Sequence, residues 1–210
     1  LISYLEWDGK TDRLILTRET KKGLKQVSGD VAKGVLHKPA IAIDGKGAAW
    51  IFWSETHEDT TVDLKARSWS ASKGFGSPVT IADSDAAEAF VVAGTDSNGR
   101  VWASWQSFRA GEADIYARFL DPKSGKWSKE IAVATQQGGD WEPSIAFDQK
   151  GQAWIVYDSS RGNEFNLNLA RVNDQGQTKE FAIAHSPKYE ARASIVSTTN
   201  KDGFWISAER

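Results

Sequence analysis

Three short stretches, "AEAFVV", "WEPSIA" and "YEARAS", carry Glu88, Glu142 and Glu190 just ahead of an apolar run, and "HKPAIA" holds Lys38 at the corresponding place. Carboxylates gathered at one opening can bind a cation, the basic end of a peptide or the hydroxyls of a sugar. Trp141 and Tyr189 each immediately precede one of these glutamates. A ring beside a carboxylate can stack a sugar and hydrogen-bond its hydroxyls, although a ring packed over its own loop leaves the same sequence. Asp85 in "ADSDAAE" and Asp140 add acidic oxygens. Asp83, Asp85 and Glu88 together are a conceivable calcium site by oxygen density; no other cofactor is suggested. Arg109 in "QSFRAGE" and Arg161 in "SSRGNE" could each clasp an anionic ligand with two parallel hydrogen bonds, or simply pair with Glu112 or Glu164 across their own hairpins.

Other chemistry is thinly represented. His37, His57 and His185 are scattered without metal-ligand spacing, and neither a nucleophile-elbow Gly-x-Ser-x-Gly nor a phosphate-cradling glycine loop occurs. Glycoside hydrolysis needs only two suitably separated carboxyls, which Glu88, Asp140 and Glu142 could supply.

These residues hang on a repeat. Trp50, Trp102, Trp154 and Trp205 fall at intervals of 52, 52 and 51 residues. In three copies an aspartate (Asp44, Asp96, Asp148) lies six residues before the tryptophan and a glycine (Gly47, Gly99, Gly151) three before; the fourth has Thr199 and Gly203 instead. Aspartate closes turns through its side chain and glycine supplies positive φ, so each is a hairpin loop between two strands. A β-rich run follows each tryptophan, then a polar loop, a third strand ending in arginine (Arg18, Arg67, Arg118, Arg171) and a fourth strand after a glycine turn. Short strands at roughly ten-residue spacing with no helical period predict an all-β chain. Four strands in about 50 residues match a β-propeller blade, whose faces are buried against its neighbours. Trp102 and Trp105 are therefore expected to pack blades together, and the four arginines, too far from the axis to converge, to be structural.

The hairpins "SFRAGEADIYAR" and "SSRGNEFNLNLAR" resemble the TolB-type propeller repeat, and the turn-plus-Trp element resembles the Asp box of sialidase-like propellers, though the gap from Asp to Trp is six here rather than five. The resemblance implies a propeller of four-stranded antiparallel blades and an extracellular or periplasmic setting. The repeat units run 1–37 (partial), 38–88, 89–141, 142–190 and 191–210 (partial). The chain is expected to be a piece of a larger propeller, or to have missing blades supplied by another chain; the absence of any methionine fits an excised or mature piece.

A net charge of −2 gives no footprint for nucleic acid or an acidic membrane surface. No cysteine is present, which excludes disulfides and thiolate chemistry, and no apolar run is long enough to span a bilayer. The expected function is a non-catalytic binding platform, with a glycan or peptide over a channel mouth formed by Glu88, Glu142, Glu190 and the flanking rings. The alternative is a glycoside hydrolase or lyase whose catalytic residues lie partly outside this piece.

Overall fold

The protein is seen here as a computed structural model that describes residues 1–161, 164–198 and 203–210. Thr199 of the fourth turn, and Gly162 and Asn163 of the second quoted hairpin, lie outside the described residues.

All described regular structure is strand. In the first blade β1 (Ile2–Trp7), β2 (Asp12–Thr20) and β3 (Gly23–Gln26) are antiparallel, and the outer edge is completed by the first residues of β4 (Ala32–Ile43), which pair with β2 from Asp12↔Gly34 to Leu14↔Ala32. Beyond Gly34 the same strand becomes the innermost strand of the second blade. It pairs there with β5 (Ala49–Thr56), which is followed by β6 (Val62–Ser70) and an outer strand split into β7 (Gly74–Phe75) and β8 (Val79–Ala82). The third blade repeats this plan with β9 (Glu88–Thr95), β10 (Val101–Ser107), β11 (Asp114–Asp121), β12 (Lys126–Trp127) and β13 (Ile131–Ala134). The fourth has β14 (Gly139–Phe147), β15 (Ala153–Ser160), β16 (Asn166–Val172) and β17 (Thr178–Ala184); β18 (Ala191–Ser197) and β19 (Phe204–Glu209) form a two-stranded sheet. Among the described residues β1 pairs only with β2 and β19 only with β18.

The recurrent turn is held by its aspartate. Asp96 Oδ1 accepts the backbone N–H groups of Asn98 and Arg100 while Oδ2 accepts the indole N–H of Trp102 at 2.9 Å; Asp44 and Asp148 do the same for Trp50 and Trp154. The six-residue gap is thus the reach that lets one carboxylate close a turn and fix the ring after it. Turns of adjacent blades stack, with the Gly45 N–H donating to the Gly99 carbonyl at 3.1 Å. A Cβ on Gly99, whose φ is +76°, would come within 2.9 Å of the Gly45 Cα.

Four apolar layers lie between successive blades. One joins Leu14 and Leu16 to Ile51 and Trp53, the next Phe52 and Leu64 to Val91 and Trp105, the third Trp102 and Ile115 to Ile155 and Tyr157, and the last Val156 and Leu169 to Ala193 and Ile195. Residues an odd number apart on a strand point to opposite faces. Trp102 therefore packs toward the fourth blade and Trp105 toward the second, both fully buried. Arg67 and Arg118 lace blades together: each donates to a carbonyl in its own blade (Gly76, Ser128) and to carbonyls of the preceding one (Asp30 and Val31, Ile81). Arg18 does not share that position; Thr17, opposite Ile2, occupies the place that Arg67 holds opposite Ile51.

Candidate active-site cleft

Each innermost strand is interrupted at the same place. Register shifts fall between His37 and Ala40, opposite Ser104 and Gln106, between Trp141 and Ser144, and between Ala191 and Ser194. One residue at each bulge has a positive φ: Lys38 at 31°, Phe90 at 55°, Glu142 at 47° and Arg192 at 56°. Left-handed backbone costs a non-glycine residue roughly 1–2 kcal/mol, so the surroundings must hold it. The preceding blade supplies the hold. Gln106 Oε1 accepts the Glu142 N–H at 3.2 Å, and Asp158 Oδ2 accepts the Arg192 N–H at 2.8 Å. A bulge re-aims its side chain, and these bulges turn Phe90, Glu142 and Arg192 into one cleft, with the Lys38 ammonium 4.9 Å from the centre of the Phe90 ring.

This geometry corrects the expected ring of Glu88, Glu142 and Glu190, which do not share one phase. Glu88 and Asp140 lie opposite Ser107 and Ser159, two residues before the bulge, and Glu190 precedes Arg192 in the same way. All three are buried inside or beneath their blades. Glu88 accepts the Trp105 indole N–H at 2.6 Å, the Ser107 hydroxyl at 3.1 Å and Arg109 at 2.8 Å. Asp140 meets Arg161 at 3.2 Å, and burial, the leading influence, raises its carboxyl above the usual range. Glu190 accepts the Ser186 hydroxyl at 2.7 Å. Arg109 and Arg161 also bind Glu130 and Glu180 across their blades, at 2.6 and 2.7 Å, rather than the expected Glu112 and Glu164; Glu112 instead accepts the Gly138 N–H. Asp83 and Asp85 are exposed, and no group of three or more acidic or histidine side chains suited to a metal occurs among the described residues, so the calcium arrangement is not formed.

Glu142, Trp141 and Tyr189 are brought together. They line a cleft of about 250 Å³ with Phe90, Gln106, Asp158, Phe165 and Arg192. Phe165, from the loop between β15 and β16, bridges the other rings, stacked on Trp141 at 5.4 Å and tilted against Tyr189 at 5.2 Å. Tyr189 remains half exposed. Arg192 reaches Glu209 at 3.2 Å, both side chains being largely exposed.

Asp158 is the residue that sequence reading passed over. It is only 4% exposed, and while Oδ2 is engaged by the Arg192 amide, Oδ1 is buried without a hydrogen-bond partner. Burial pushes its carboxyl above the usual range; the Arg192 and Ala193 amides act against the rise, and the nearby charge of Glu142 adds to it. Ser54 and Gln106 occupy the same position in earlier blades, and Gln106 supports its bulge with a neutral amide. A carboxylate is therefore more than the bulge requires.

The raised Asp158 carboxyl has a signed consequence. Its ionised form costs the folded state stability in full above the folded pKa, and the cost disappears below the unfolded value of about 3.9. Asp158→Asn keeps an acceptor for Arg192, and is expected to melt at higher temperature than the parent near neutral pH, the gap closing as pH falls below about 4. Thermal melts across that range check this; an unchanged or lowered neutral melting temperature would contradict it.

No protein-family model matches the chain, and no curated protein matches it. Solved structures do. A Hadza microbial sialidase superposes with a TM-score of 0.64 at 14% identity over 92% of this chain and 45% of its own. An α-L-arabinanase from Penicillium chrysogenum complexed with arabinobiose gives 0.62 at 10% identity, over 98% and 70%. An endo-arabinase from Bacteroides thetaiotaomicron gives 0.56 at 12%, over 98% and 87%. The fold is a β-propeller. The likeness to sialidases extends to architecture, and the TolB-type resemblance is carried only as far as the propeller class. The chain spans less than half the length of the sialidase. The expectation of a non-catalytic platform is corrected here: the solved structures that share this fold are named as a sialidase, an α-L-arabinanase and an endo-arabinase. No helix in the described residues is long and apolar enough to cross a membrane.

Proposed function

We propose that this propeller is a glycoside hydrolase working outside the cytoplasm, with its substrate in the cleft over Glu142 and Asp158. The observation that carries the reading is Asp158, a buried carboxyl with a raised pKa and an unpartnered oxygen, beside a second carboxylate and a wall of aromatic rings. A buried carboxyl whose pKa is raised can donate a proton to a glycosidic oxygen, while a second carboxylate attacks or stabilises the cationic sugar. Asp158 takes the first role and Glu142 the second. The Trp141–Phe165–Tyr189 wall offers the stacking surface of a sugar site, and Arg192 at the rim can hydrogen-bond ring hydroxyls. The solved sialidase and arabinanase propellers support a glycan as the substrate class.

The test is hydrolysis of arabinan and of a sialoside by the protein and by its Asp158→Asn and Glu142→Gln variants, read as released reducing sugar or sialic acid. Losing the proton donor is expected to lower kcat at least about a hundredfold while the rings keep KM within a few-fold. Full activity in Asp158→Asn would sink the assignment.

A further inference from the structure

We propose a second binding site, at the outer rim between the first and second blades, that takes a sulfated or carboxylated segment of an acidic polysaccharide. The β2–β3 hairpin carries four cations within residues 18–25, Arg18, Lys21, Lys22 and Lys25, against one carboxylate, Glu19, in a chain whose net charge is −2. The register sets Arg18 directly opposite Lys25, and Glu19 opposite Leu24. Directly opposed residues share a face of the sheet and successive ones alternate. The two cations therefore stand side by side on one face, and the one nearby carboxylate is on the other.

Like charges in that position cost stability, and neither cation has a hydrogen bond or ion pair among the described residues. Two other cations of the same blade are paired, Arg13 with Asp30 at 2.8 Å and Lys33 with Asp30 at 3.4 Å. The face that holds Arg18 and Lys25 is the one on which Leu14 and Leu16 pack against the second blade. It opens there into a cleft of about 420 Å³ whose opposite wall is Trp69, with Gln26, Ser28 and Ser70 as polar lining. Two cations answer an acidic group, the indole offers a surface for a sugar ring, and the hydroxyls and amide suit its oxygens. Lys21 and Lys22 continue the positive strip in a neighbouring depression of about 450 Å³. A row of charges fits a polymer that repeats its acidic group better than a single small anion.

Calorimetric titration of the whole chain with dextran sulfate, carboxymethyl dextran and unmodified dextran tests the site. Binding is expected for at least one charged dextran, weakening with salt, and none for the neutral one; which charged form binds identifies the acidic group. Lys25→Gln alone should weaken binding several-fold and Arg18→Gln/Lys25→Gln at least tenfold. Lys123→Gln/Lys126→Gln, the same charge change on another exposed hairpin, should alter it less than twofold. Equal losses in the two double variants, equal binding of neutral dextran, or no binding of either charged form would overturn the proposal.

Discussion

Trp102→Ala is expected to lose about 3–5 kcal/mol of folding stability, the range for truncating a fully buried aromatic side chain. The ring has no exposed surface, lies 4.7 Å from Phe119 and 6.2 Å from Phe147 by centroids, and ties its indole N–H to Asp96. Its loss opens a void between the third and fourth blades that two rigid sheets cannot close. Domains of this kind hold only about 5–15 kcal/mol in all, so the variant should unfold at much lower urea. Trp205 is the built-in control. It occupies the same repeat position on β19 but is 73% exposed, so Trp205→Ala should leave the urea midpoint nearly unchanged. Comparable losses at the two positions would mean that the tryptophan acts through its own strand and not through the layer between blades.

Glu88→Ala is expected to cost about 3–5 kcal/mol as well, by a different route. The carboxylate is fully buried and satisfies Trp105, Ser107 and Arg109 together. Removing it leaves buried neutral donors without an acceptor, each at a cost of about 1–3 kcal/mol. Here the indole N–H is left without an acceptor inside an apolar layer, while Arg109, partly exposed, keeps Glu130. Glu88→Gln preserves volume and an acceptor for the indole, so it should lose appreciably less. Urea denaturation of the three proteins decides it. If Glu88→Ala folds as well as the parent, the carboxylate is no structural anchor of its blade.

The repeat was legible because its determinants are local. An aspartate six residues ahead of a tryptophan, with glycine between, closes a turn by itself, so the strand order and the four-stranded blade follow from the chain without knowledge of what packs where. The opposed burial of Trp102 and Trp105 follows equally from their odd separation on a strand. Glu142, Trp141 and Tyr189 could be singled out because ring–carboxylate neighbours are visible in a linear text.

The cleft itself was not legible. Its backbone bends at Lys38, Phe90, Glu142 and Arg192, none of them glycine, and no residue type announces a positive φ there. That two-residue bulge separates Glu142, which faces the cleft, from Glu88, Asp140 and Glu190, which turn inward to hold their blades. Asp158 and Gln106 reach the site from the second strand of the blade before it, across contacts of 34 and 36 residues. The sequence by itself determined the blades, since turn chemistry and strand alternation act within a few residues. Only the tertiary structure decided which carboxylates are scaffold and which face the cleft, because burial and hydrogen-bond supply are set by the neighbouring blade.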